Sequence, residues 1–90
     1  MIELPSVAVV LLNWNGKKFL EQFLPTLLQC THPGAQIIVA DNGSTDDSLA
    51  FMKANYPDIS ILSNPSNEGF AKGYNIALEK VNADIYVLLN

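Results

Sequence analysis

The residues best suited to chemistry in this 90-residue chain are one carboxylate and several side-chain amides, each placed where an apolar run ends. Asp41-Asn42-Gly43-Ser44 follows the run from Gln36 to Ala40, and Asn13-Trp14-Asn15-Gly16 follows Val7 to Leu12. A carboxylate at such a place can take a charge-assisted hydrogen bond from a ligand N–H or hydroxyl. Gly43 lets the backbone turn sharply behind it. The same residues also suit a plain strand-to-helix turn, since Asn, Asp, Gly and Ser dominate turns. A helix N-terminus commonly attracts phosphate, but Asp46 and Asp47 would repel it here. The segment is therefore expected to hold a base or ribose, with phosphates elsewhere.

A second stretch runs Asn67-Glu68-Gly69-Phe70-Ala71-Lys72-Gly73-Tyr74-Asn75. Gly69 and Gly73 are costly in a helix unless something must approach closely, by packing or as a ligand. Lys72 could steer a pyrophosphate or be a solvated surface lysine. Asn75 could anchor a neighbouring loop or touch a ligand. Trp14 could stack on a ring, but at the end of a buried strand it is expected to pack. His32 has no second histidine or acid pair beside it, so neither metal binding nor base catalysis is supported. Cys30, with no histidine placed to activate it, is expected to be buried and inert.

Composition narrows the classes. An apolar fraction of 49% with 16% charged residues predicts one packed core, and the length leaves no room for a second. The net charge of -4 arises from scattered acids and argues against nucleic acid as a partner. A single cysteine rules out an internal disulfide and points to a reducing, cytoplasmic setting. The longest apolar run, Val7 to Leu12, falls well short of the roughly 20 residues that span a bilayer. Peripheral membrane attachment through a C-terminal part outside this chain stays open.

These residues need elements to position them. Val7 to Leu12 reads as a strand buried on both faces. Phe19, Leu20, Phe23, Leu24, Leu27 and Leu28 form a helical stripe with Asn15 available as its cap and Pro25 expected to kink or restart it. Gln36 to Asp41 is a second buried strand after the His32-Pro33-Gly34 turn. Ser44-Thr45-Asp46-Asp47 matches a capping box for a helix running to about Asn55. Ile59 to Leu62 is a third strand, ending in the polar loop Ser63 to Asn67. A third helix begins near Asn67 to Gly69 with Ala71, Tyr74, Leu78 and Val81 on one face, and Asp84 to Asn90 is a fourth buried strand. Alternation of strands and helices with short connections implies an open parallel α/β sheet with right-handed crossovers and helices on both faces. Ligands of such sheets sit beyond the carboxyl ends of the strands, where strand order reverses. In the order 3-2-1-4 this places a crevice between strands one and four, beside Asn13 and Asn90.

Taken in order, these stretches resemble the N-terminal half of family 2 glycosyltransferases of the GT-A fold, whose sheet is Rossmann-like. Val7 to Asn15 resembles that family's opening strand with its aromatic-Asn ending. Ile37 to Asp46 resembles its nucleotide-base segment, and Asn67-Glu-Gly-Phe-Ala with Asn75 resembles its third signature. The resemblance implies a nucleoside-diphosphate sugar, with Asp41 at the base and Asn13 and Asn15 nearby. With the strand-end argument it makes Asn13, Asn15, Asp41, Asn42, Gly43, Ser44, Asn67, Gly69, Lys72 and Asn75 the candidate nucleotide contacts. It further implies that the strand Asp84 to Asn90 leads into an Asp-x-Asp motif for a divalent metal, Mn or Mg, and that a catalytic aspartate of an inverting enzyme follows. Both are expected beyond Asn90, so no catalytic or metal-ligating residue is assigned here. These 90 residues alone are expected to lack transferase activity. The acceptor would be a saccharide or a lipid-linked saccharide, as in cell-wall or polysaccharide synthesis.

Three other classes fit less well. A dinucleotide-binding domain needs Gly-x-Gly-x-x-Gly after strand one, where Asn13-Trp-Asn-Gly16 stands. A sugar nucleotidyltransferase shares the general fold but would carry a glycine-rich, Arg- and Lys-bearing loop at that place, which is missing here. A receiver-like or other non-catalytic α/β interaction domain shares Asp41 and a lysine but needs an acidic pair where Asn13 and Asn15 are found.

Overall fold

Two central apolar runs, Val7 to Leu12 and Ile37 to Ala40, pair side by side because neither has a polar face to leave in water, and helices on each side supply the cover. The computed structural model describes residues 5–31, 34–64 and 69–89. The elements are β1 (Val7–Asn13), α1 (Lys17–Cys30), β2 (Gln36–Asn42), α2 (Ser48–Asn55), β3 (Ser60–Asn64), α3 (Phe70–Lys80) and β4 (Ile85–Leu89). His32, Pro33, Asn67, Asn90 and the Ala71 side chain lie outside the described residues, so the expectations placed on them have no structural counterpart here.

The strands form one sheet in the order β3-β2-β1-β4, every pair parallel. Alternate residues of the central strands point to opposite faces. On one face Leu11 and Val39 pack with Leu20 and Leu24 of α1 and Met52 of α2. On the other, Val10 and Ala40 pack with Tyr74 and Ala77 of α3, and Ala8 and Ile38 with Val81 just after it. The two central strands are thus covered on both sides, as the element order predicted, and the chain reverses its direction of sheet growth at β1.

Several local expectations are corrected. Ser44 does not cap α2, which starts four residues later at Ser48. The Ser44 hydroxyl instead donates to the Asp41 carboxylate at 2.6 Å, and its oxygen, the atom a cap would use, accepts from the Asn15 backbone N–H at 2.9 Å. Asp46 meets the helix start in its place by accepting from the Ser48 backbone N–H at 2.9 Å. Asn15 does not cap α1. Gly16 is the residue ahead of that helix and offers no side-chain cap. Pro25 does not divide α1, which runs unbroken through it, with Pro25 on the exposed side where solvent can replace the lost backbone bond. Cys30 is exposed rather than buried.

β4 is the largest departure. The run Ile85 to Leu88 is exposed on both sides, from 36% at Tyr86 to 46% at Ile85 and Leu88. Among the described residues it pairs with β1 alone and forms the margin of the sheet, where the helices reach it at Leu89, which packs against the α1–α2 core and whose carbonyl accepts from the Tyr74 hydroxyl. Beside it a trough of about 780 Å³ is lined largely by apolar side chains, including Val9, Leu27, Val87 and Leu89. Among the described residues no helix is long and apolar enough to cross a membrane.

Candidate functional site

At the carboxyl end of the two central strands, register alone brings Asn13 opposite Asp41. Both point to the face of α1 and α2, one step beyond Leu11 and Val39, and both are buried, Asp41 to 1% exposure. A buried carboxylate must be hydrogen-bonded to be tolerated, and this one is. Asp41 Oδ1 accepts from Asn13 Nδ2 at 2.9 Å and from the Ser44 hydroxyl at 2.6 Å. Its Oδ2 accepts from the Ser44 backbone N–H at 3.0 Å. Asn13 Nδ2 also reaches Ser44 Oγ at 3.2 Å. Gly43, with φ of 79°, makes the turn that folds Ser44 back over Asp41, and a positive φ is where glycine is required. Gly16 serves the same cluster differently, since a Cβ there would lie 2.7 Å from Asn13 Oδ1.

Asn15 joins this cluster from above. Its backbone N–H donates to Ser44 Oγ at 2.9 Å. Its side-chain Oδ1 accepts from the Thr45 and Asp46 amides at 2.7 and 3.1 Å. Asp46 in turn accepts from the Lys17 amide at 3.3 Å. Slight burial pushes the Asp46 carboxyl up, but hydrogen bonds from the Ser48 hydroxyl, the Ser48 amide and the Lys17 amide outweigh this and hold it below the ordinary carboxylate range. A shallow groove opens beside these residues, lined by Asn15, Lys17, Lys18, Phe19, Asp46 and Asp47 among others.

Trp14, expected to pack, is 54% exposed. Its neighbours on either side are fixed, Asn13 inward to Asp41 and Asn15 across to Thr45, so the backbone between them turns the indole to solvent. Its type suggested burial; only the bonding of its neighbours could have shown otherwise.

The structure does not gather all the candidates into one place. Asn42 points to the opposite face from Asp41, as successive strand residues must. It is buried at 2% exposure beneath the start of α3. Its Nδ2 donates to the Gly69 carbonyl and its Oδ1 accepts from Asn64 Nδ2, both at 3.3 Å. Asn64, buried at 5%, stands in register with it. β3 extends two residues past the expected Leu62 to make this pairing. Gly69 has φ of 90° and open space where a Cβ would be, so backbone conformation accounts for it. Lys72 and Asn75 lie exposed on α3, so Asn75 is not a buried anchor.

Gly73 marks the close approach that its type suggested, and packing accounts for it. A Cβ there would lie 3.0 Å from Leu12 Cδ1 and 3.2 Å from Asn42 Nδ2. Gly73→Ala would gain about 1 kcal/mol from helix propensity at a free position, but Asn42 is held by Asn64 and Gly69 and yields poorly. A net loss of about 1 kcal/mol is expected from overpacking, read as a lower urea midpoint with shifted Asn64 and Gly69 amides. A stabilised variant would show that Asn42 is not held.

Among the described residues no three of His, Cys, Asp and Glu come together as metal ligands. Asp41 is already engaged with Asn13 and Ser44, and Asp46, which lines the groove, with Ser48 and Lys17. These residues do not fit a divalent metal.

A parallel sheet in the order 3-2-1-4 with helices on both faces is the arrangement found in GT-A glycosyltransferases. A mannosyltransferase from Pyrobaculum calidifontis, solved with GDP-Man and Mn2+, superposes with a TM-score of 0.76 at 22% identity, covering 91% of this chain and 26% of that one. Glucosyl-3-phosphoglycerate synthase from Mycobacterium tuberculosis, solved with UDP and Mn2+, gives 0.78 at 22% identity over 94% and 33%. Residues 6–90 match the model of glycosyl transferase family 2, and the chain belongs to that family. It is 27% identical over 93 residues to an uncharacterized glycosyltransferase of Haemophilus influenzae, covering 99% of this chain and 37% of that protein. It is 33% identical over 72 residues to an N-acetylglucosaminyl-diphospho-decaprenol L-rhamnosyltransferase of Mycobacterium tuberculosis, covering 80% of this chain and 22% of that protein. The chain thus spans between about a fifth and two fifths of the length of these relatives.

Proposed function

We propose that this chain is the nucleotide-holding part of an enzyme that transfers a sugar, with inversion, from a nucleoside-diphosphate sugar to an acceptor hydroxyl. The observation that carries the reading is the Asn13–Asp41–Ser44 network, with Asn13 and Asp41 buried and exposed Trp14 next to Asn13 in the chain, at the carboxyl ends of the two central strands. Preorganised polar groups beside an exposed ring suit a flat, hydrogen-bonding ligand such as a base. Three of the roughly four lone-pair directions of the Asp41 carboxylate are used within the protein. Asp41 therefore acts mainly by holding Ser44 and Asn13, and little of it is left for ligand. Glu21, Asp46 and Asp47 line the groove against Lys17 and Lys18, an excess of acid that favours base and ribose over diphosphate on that side.

A divalent metal and the acid that activates the acceptor would come from residues other than those described, since no set of ligands stands here. Family membership, and relatives that include a rhamnosyltransferase acting on a decaprenol-linked sugar by name, support a saccharide or lipid-linked acceptor; the setting we propose is cytoplasmic and membrane-peripheral.

Titration with UDP, GDP and dTDP, with and without manganese, tests the reading through amide and indole chemical shifts. One nucleotide is expected to move the Trp14 indole and the amides from Gly43 to Asp46 while leaving Asn64 unmoved. No response to any nucleotide, also in a chain extended past Asn90, would sink it.

A further inference from the structure

Asn15 stands among the candidate ligand contacts, yet its side chain is spent within the protein. Its backbone has φ of 50°, and no other non-glycine among the described residues has a positive φ. That conformation costs an ordinary residue about 1–2 kcal/mol, and asparagine tolerates it better than most. Glycine would sit there more easily but would lack the amide. The amide is what the structure uses: Oδ1 takes the Thr45 and Asp46 amides, and Nδ2 donates to Thr45 Oγ1 at 3.3 Å. With its own N–H on Ser44 Oγ, Asn15 ties the turn after β1 to the turn after β2, about 30 residues away in sequence.

We propose that Asn15 is a positioning residue that latches these two turns, so that Trp14 and Ser44 meet the nucleotide as one preformed surface; the proposal rests on the nucleotide reading above. Two separate turns would each have to be ordered when ligand binds, and that entropy would be subtracted from affinity. The latch removes this cost beforehand. Asn15 acts through Thr45, Asp46 and Ser44, without touching the base.

The test compares Asn15→Gly, which keeps the backbone conformation and removes the amide, with Asn15→Asp, which keeps an acceptor oxygen for the two amides. Without nucleotide, Asn15→Gly should speed hydrogen exchange at the Thr45 and Asp46 amides about tenfold, by opening them locally, while Asn15→Asp keeps them protected. With the nucleotide that binds the unaltered chain, Asn15→Gly should weaken affinity about tenfold at an unchanged urea midpoint, and Asn15→Asp should restore most of it. Unchanged exchange in Asn15→Gly overturns the latch. Faster exchange with unchanged affinity overturns the positioning role. If the unaltered chain protects both amides but binds none of UDP, GDP and dTDP, the nucleotide reading falls and the positioning role with it. The first arm needs no nucleotide, so the failures are told apart.

Discussion

Asp41→Ala is expected to destabilise the chain by about 3 kcal/mol, because it leaves buried donors without their acceptor. A solvent-facing strand-end carboxylate would be removable without harm, and its position in the sequence suggests that. The structure shows it buried and accepting three hydrogen bonds. Its loss strands the Ser44 amide and forces the Ser44 hydroxyl and the Asn13 amide to find other partners. Their rearrangement keeps the cost below the sum of three separate penalties. Urea unfolding should show a lower midpoint at unchanged slope, and the thermal midpoint should fall by more than about 10 °C. Asp41→Asn should cost less, about 1–2 kcal/mol, since an amide nitrogen facing the Ser44 N–H sets donor against donor at one contact only. A stability change within about 0.5 kcal/mol for Asp41→Ala would mean that the network is not formed in solution.

Trp14→Ala should do the reverse, leaving stability within about 0.5 kcal/mol of the unaltered chain while weakening nucleotide binding about 10- to 100-fold, the range of losing one ring stacked on a base. Trp14→Phe should keep much of that affinity. The measurement separates two accounts of the same residue. Were Trp14 a packed core side chain, truncation would cost about 3–5 kcal/mol of stability and the affinity change would follow unfolding. With the indole 54% exposed, such a stability loss is not expected. Equal affinity in Trp14→Ala and the unaltered chain would remove Trp14 from the site.

The features legible in the order of residues are those encoded by period and type. Val7 to Leu12 and Gln36 to Asp41 read as buried strands because their apolar runs have no polar face, and the alternation with helical stripes leads to the parallel sheet observed, though alternation alone does not set the order of its strands. The recurrence of short polar residues at strand ends is also visible. Its meaning is not: Asn13, Asp41, Asn42 and Asn64 read equally well as turn composition. They are buried pairs, Asn13 with Asp41 and Asn42 with Asn64, and register between strands far apart in sequence brings them together.

Local rules fail where two polar groups compete for one partner. Ser44 matches a cap by spacing, yet the Asn15 backbone N–H takes its oxygen while its hydrogen goes to the carboxylate three residues back. Asn15 could cap α1, but two amides near residue 45 claim its oxygen first. β4 departs for a different reason. Its composition asks for burial, but burial depends on what packs against a strand, and among the described residues it pairs with β1 alone.

Periodicity and turn chemistry act over a few residues, so the order of side chains suffices to set the elements, their succession and the polar types at the strand ends. Which face each polar group takes, which donors meet the Asp41 carboxylate, and that Trp14 points outward come only with the packed sheet. Those outcomes depend on register and on competition among groups some 30 residues apart, which no local pattern records.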